Sequence, residues 1–212
     1  MIQISLKGLA KFMTASAAGQ RKVLYGYKYP VPEGQVQAAY YRDARNLIAK
    51  FHDQKLSATW LEDQAASLIV GSIGAAKPQI ASRLSNNARA LKCYAEHFGT
   101  MVCDVLPDVR LSLEFGGVLV TVNPDLHVNE KGKEKLLKLE FSADAPDPEV
   151  IKVVSQSIFE AALKDGMTLC SSQILYLDVP RGVPHKGARF GAHMGKNIEA
   201  ACNNIAAIWA AL

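Results

Sequence analysis

Apolar and polar positions change their rhythm once along this chain. Up to residue 99 the spacing is helical. Ser5 can cap a short amphipathic helix, LKGLAKFM. RKVLYGYKYPVPEG follows and reads as a loop, with two prolines and two glycines. Residues 36–53 place Val36, Ala39, Tyr40, Leu47, Ile48 and Phe51 largely on one face, which predicts a helix. Ser57 and Thr59 can cap WLEDQAASLIVG. A longer helix starts at Pro78, carries Ile80, Leu84, Ala88, Leu91 and Tyr94 as its stripe, and stops near Gly99.

Beyond residue 110 the period shortens. LSLEFGG (111–117), VLVTVNPD (118–125) and KLLKLEFSA (135–143) predict three antiparallel strands. Gly116-Gly117 turns the first into the second, and the tip around Lys131-Gly132 turns the second into the third. Pro146 and Pro148 open a helix over EVIKVVSQSIFEAALKDG, which Gly166 stops. SSQILYLDVPRG is a fourth strand, and residues 194–212 form a C-terminal helix in which Ile208 and Trp209 seal the core. Helices, three strands, a crossover helix, a strand and a last helix make an α/β sandwich around a mixed sheet of four to five strands. The organisation expected is an N-terminal helical extension (1–77) on an α/β core (78–212), together one compact domain.

Composition adds bounds. With 212 residues, 49% of them apolar, the chain can fill one core. A mean hydropathy of +0.03 and 21% charged residues are those of a soluble globular protein. No apolar run approaches a membrane span, and MIQISLKGLAKFM lacks the pattern of a signal peptide, so the expected location is the cytoplasm. Cys93, Cys103, Cys170 and Cys202 include no C-x-x-C pair, which argues against zinc and iron–sulfur chemistry.

The net charge of +4 is concentrated in one place. Residues 180–196 carry Arg181, Lys186, Arg189 and Lys196 with no acid, plus His185 and His193. A basic, glycine-rich loop suits contact with phosphate; a solvated surface loop is the plainer reading.

The segment TVNPDLHVNEKGKEKLLKLEF carries the candidate chemistry. A turn at Lys131-Gly132 pairs positions whose numbers sum to about 263, which sets Asp125 opposite Lys138 with Glu140 nearby. Lys138 and Glu140 share a face. Two converging carboxylates repel unless a cation lies between them, and a divalent ion such as Mg²⁺ is the usual occupant. A lysine beside it can orient water or stabilise charge on a phosphate. The plainer reading is a solvent-side ion pair beside an ordinary Asn-Pro-Asp turn.

Pro124-Asp125 ending one strand and Glu140 in the next, within this element order, resemble the PD-(D/E)XK nuclease superfamily, in particular its RecB-like members. The match covers roughly residues 78–180, and ISLKGLAKFM is similar to the N-terminal helix of that group. The resemblance implies a restriction-endonuclease-like fold and an Mg²⁺- or Mn²⁺-dependent nuclease acting on nucleic acid, DNA before RNA. Asp125 and Glu140 would hold the metal, and Lys138 would position water. Arg181, Lys186, Arg189 and Lys196 would grip the backbone. The family lysine stands two residues after the acid, where this chain has Ser142; Lys138 lies two before it. The alternatives are a nucleic-acid-binding or scaffold subunit without catalysis, and a protein–protein assembly part or homo-oligomer using helices at 57–73 and 191–212.

Secondary site candidates are His127 on the face of Asp125, Glu96 before the strands, Glu114 in the first strand, and Asp178 ending the fourth. Tyr25, Tyr27 and Tyr29, interleaved with Arg21, Lys22 and Lys28, could stack on bases or pack as a half-buried segment.

Overall fold

Ser5 closes one element and opens the next. β1 (Ile2–Ser5) pairs in parallel with β4 (Val118–Thr121), and the Ser5 hydroxyl then accepts the Gly8 N–H to cap α1 (Leu6–Thr14). A computed structural model describes residues 1–30, 40–188 and 193–212. The helix expected from residue 36 begins at Arg42 as α3 (Arg42–Asp53); positions 36–39 lie outside the described residues. α4 (Ala58–Ile73), capped by Ser57, and α5 (Pro78–Phe98) follow as expected.

The loop expected at 21–34 is instead helix as far as Lys28, and positions 31–34 lie outside the described residues. α2 (Ala17–Lys28) starts at Ser16, whose hydroxyl accepts the Gly19 N–H. Gly26 lies on its exposed side, and Pro30 falls after its end, where a proline interrupts nothing.

The strand expected over 118–125 ends at Thr121, and the next strand begins at Leu126 in a different sheet. β3 (Ser112–Phe115), β4 and β1 form a three-stranded sheet in the order β1-β4-β3. The chain then crosses to a five-stranded sheet, ordered β2-β5-β6-β7-β8, made of β2 (Asp104–Val105), β5 (Leu126–Glu130), β6 (Lys133–Glu140), β7 (Ile174–Asp178) and β8 (Val183–Lys186). The crossing falls at Asn123-Pro124-Asp125, where the proline has no N–H to give a ladder. β2 and β8 were not expected. β8 occupies part of the basic loop, and its Pro184 sits where proline is tolerated, on an edge strand.

Both sheets are mixed. β5 and β6 are antiparallel, α6 (Pro148–Lys164) crosses over, and β7 returns parallel to β6. Alternate residues of these strands feed two cores. Leu137, Leu139, Leu175 and Leu177 pack with residues of α3, α4 and α5. Leu136, Ile174 and Tyr176 pack with the small sheet, α1, α6 and α7 (His193–Ala210). A sheet covered on both faces explains why ILYLD is apolar at nearly every position. Ile208 and Trp209 lie half-buried against the second of these cores.

The β5–β6 hairpin fixes the site's register. Lys131 and Gly132 have φ of +54° and +76°, the left-handed pair of a two-residue primed turn. A Cβ added at Gly132 would meet nothing within 4 Å, so the cost of Gly132→Ala is purely backbone strain. The expected loss is about 1 kcal/mol of unfolding free energy, read from urea denaturation.

Candidate functional site

The hairpin delivers its acid and its lysine to each other. Leu126 pairs with Leu137, so Asp125 stands opposite Lys138, the register expected from the sequence. The Asp125 N–H donates to the Leu137 carbonyl at 2.8 Å, carrying the ladder one step past β5. Its carboxylate is almost fully buried: Oδ2 accepts the Leu139 N–H at 2.8 Å and lies 3.0 Å from Lys138 Nζ. Oδ1 lies 3.2 Å from Arg45, which reaches in from α3.

Glu140 ends β6, facing the same way as Lys138. Its Oε1 accepts the N–H groups of Phe141 (3.1 Å) and Ser142 (3.0 Å) and the Ser142 hydroxyl. Its Oε2 accepts the Tyr176 hydroxyl at 2.9 Å and lies 3.3 Å from Lys7 on α1. Burial alone would raise this carboxyl's pKa. The Ser142 hydroxyl, Lys7, the Ser142 N–H and Tyr176 together outweigh burial and hold it at about 2. Tyr176 is pushed the other way, first by burial and then by Glu140 beside it, so its hydroxyl stays a proton donor.

Parallel pairing with β7 supplies the next neighbours, Tyr176 opposite Lys138 and Asp178 opposite Glu140. Asp178 is buried and is met by the guanidinium of Arg181 at 3.0 and 3.1 Å. Arg181 also donates to the Ala143 carbonyl, which ties the loop after β6 to the end of β7.

The structure thus brings Asp125, Lys138 and Glu140 to one end of one hairpin, with Asp178 beside Glu140. Each carboxylate has one oxygen fixed by backbone N–H groups. The other is held by Arg45 in one case and by Lys7 and Tyr176 in the other. Two acids face three cations, Lys7, Arg45 and Lys138. Lys7, Arg45 and Tyr176 were not among the sequence candidates, because they enter from α1, α3 and β7 and no local spacing announces them.

The remaining candidates stand elsewhere. His127 is buried between the Pro107 carbonyl and Glu134, each at 2.7 Å from a ring nitrogen. Glu96 is exposed on α5, and Glu114 is exposed on β3 in the other sheet. Arg181 is committed to Asp178 and Ala143. Lys186 and Lys196 are exposed, on β8 and α7; Arg189 and the side chain of His193 lie outside the described residues. Among the described residues no helix is long and apolar enough to cross a membrane.

Leu136, two residues before Lys138, is fully buried in the core. Ser142, two residues after Glu140, binds its carboxylate through both N–H and hydroxyl. Comparison of the sequence with protein-family models gives no match, and comparison with curated proteins gives no significant match.

Proposed function

We propose that this chain is a metal-dependent nuclease relative of the PD-(D/E)XK type, hydrolysing phosphodiester bonds at the Asp125–Lys138–Glu140 site. The observation that carries this reading is the site's geometry. Two largely buried carboxylates, each anchored through one oxygen, stand at one end of the hairpin with a lysine whose ammonium lies 3.0 Å from Asp125. The donor set suits a hard divalent ion: Asp125 and Glu140 offer oxygens, and water completes such sites. Mg²⁺ or Mn²⁺ bound there would polarise a phosphate oxygen and acidify water.

The chain's own groups do the rest. The backbone N–H of Leu139 and of Ser142 fixes the carboxylates' direction. Lys138 places positive charge where an attacking water or a phosphate oxygen would lie. Lys7, 58% exposed, and Arg45 lie against the oxygens that would hold such an ion, and would have to give them up to it. Their charges are then available to the phosphate backbone.

A second reading has its own support. Ser142 stands where the family has its lysine, and three side-chain cations already meet the two carboxylates. Both facts favour a nucleic-acid-binding subunit without catalysis.

Incubation of labelled single- and double-stranded DNA and RNA with Mg²⁺ or Mn²⁺ separates the two. A nuclease cleaves, stops with EDTA, and slows by roughly 100-fold in Lys138→Ala, the scale of one lost electrostatic group. A binding subunit leaves every substrate intact yet binds with affinity that falls steeply as salt rises.

A further inference from the structure

We infer that the end of α2 carries a base-stacking platform, Tyr25 and Tyr29, that selects single-stranded nucleic acid. The inference rests on the nucleic-acid reading above and names its substrate class. Its first support is charge. Residues 1–32 contain Lys7, Lys11, Arg21, Lys22 and Lys28 and no Asp or Glu, a second acid-free basic stretch besides 180–196. A phosphate backbone is the partner that such a surface attracts.

The second support is aromatic. Tyr25 and Tyr29, one helical turn apart, are 57% and 46% exposed, with ring centroids 4.7 Å apart and planes tilted by 45°. Their position is braced. Lys28 donates to the Trp209 carbonyl at 2.9 Å, and its ammonium lies 5.9 Å from the ring centres of both Tyr29 and Trp209. The Tyr29 hydroxyl donates to the Leu212 carbonyl at 3.4 Å. A ring held at its edge and open on a face is preorganised for stacking.

The third support is placement. Tyr27, which the sequence groups with the other two, turns inward: its hydroxyl shares a hydrogen bond with Ser5 and packs on Gly8. That contact pins the end of α2 to the start of α1, where Lys7 reaches Glu140. The tyrosine pair therefore lies at the same end of the α1–α2 pair as the candidate site.

The geometry also states the stacking mode. A base between two rings needs roughly 7 Å, two base-stacking rises, so at 4.7 Å a base stacks on an outer face. Bases within a duplex already have both faces covered. A single strand, or a frayed end, offers a free one.

The test is fluorescence anisotropy in EDTA, with labelled single strands of roughly 20 nucleotides (oligo-dT and oligo-U) and a duplex of the same length. Tyr25→Ala/Tyr29→Ala is expected to weaken single-strand binding at least ~10-fold, with duplex binding within about twofold of wild type. Tyr25→Phe/Tyr29→Phe, which keeps both rings and loses only the Tyr29 hydroxyl's bond, should stay within about threefold of wild type. Arg21→Ala/Lys22→Ala should weaken both substrates and flatten the salt slope. The dT and U arms decide between DNA and RNA. A double-alanine protein that binds single strands like wild type, or loses both substrates equally, overturns the platform alone. A wild type that binds no nucleic acid at low salt overturns the platform and the nucleic-acid reading together.

Discussion

Asp125→Ala is expected to abolish metal-dependent cleavage and to cost the fold about 3 kcal/mol, the scale of breaking a buried ion pair by removing one partner. The carboxylate meets Arg45, Lys138 and the Leu139 N–H at 3.2, 3.0 and 2.8 Å. Its removal takes one counter-charge from Arg45 and from Lys138 and the acceptor from a strand N–H. Asp125→Asn keeps an acceptor for Leu139 and should recover part of the stability and none of the cleavage. Urea denaturation and a cleavage time course of both variants separate the two effects. An alanine protein as stable as wild type would mean that Arg45 and Lys138 find other partners, and that the buried pair is not the anchor of this hairpin.

The second large effect belongs to Glu140 and appears in acid. Its folded pKa of about 2 lies below the usual 4.5, with burial opposing the shift and the Ser142 hydroxyl, Lys7, the Ser142 N–H and Tyr176 driving it. A depressed folded pKa means that the ionised form is preferred by the folded state. The stability it contributes is present in full above about pH 4.5 and is lost as pH falls through about 2. At 1.36 kcal/mol per unit the contribution is roughly 3 kcal/mol. Urea titrations from pH 2 to 6 should show wild-type stability falling steeply below pH 4.5 relative to Glu140→Gln, whose amide does not titrate. Parallel curves for the two proteins would contradict the assignment of this acid limb to Glu140. Tyr176→Phe, which removes one donor, should move the midpoint of the fall upward.

Much of this site was legible from the hairpin alone. A primed two-residue turn at Lys131-Gly132 fixes pairing by arithmetic, so Asp125 meeting Lys138 followed from the positions of one glycine and one aspartate. The helices α3 to α7 were legible for a related reason: each has an apolar stripe long enough to reveal its period. What failed was short or contextual. α2 was hidden because Gly26 and the prolines beyond its end were weighed and its Ser16 cap was not. β1, β2 and β8 have two to four residues each and exist through their partners β4, β5 and β7. The strand over 118–125 was drawn past its end because Val122 continues the apolar run of VLVT, yet the missing N–H of Pro124 marks where the chain changes sheets. Lys7 and Arg45 could not be found locally, since they lie 133 and 80 positions from the acids they meet. Arg181 reads as a phosphate contact from its basic neighbours; what that reading does not show is its pairing with the buried Asp178 three residues earlier.

A divalent ion held by Asp125 and Glu140 would displace Lys7 and Arg45 from them. Titration of Mn²⁺ into the protein, followed by the loss of the free-ion electron paramagnetic resonance signal, tests for that site. Saturable binding by wild type is expected, with tighter binding by Lys7→Ala and none by Asp125→Asn/Glu140→Gln. Absence of binding by wild type, or equal binding by the double variant, would contradict it and leave the site a neutralised ion cluster in a nucleic-acid-binding protein.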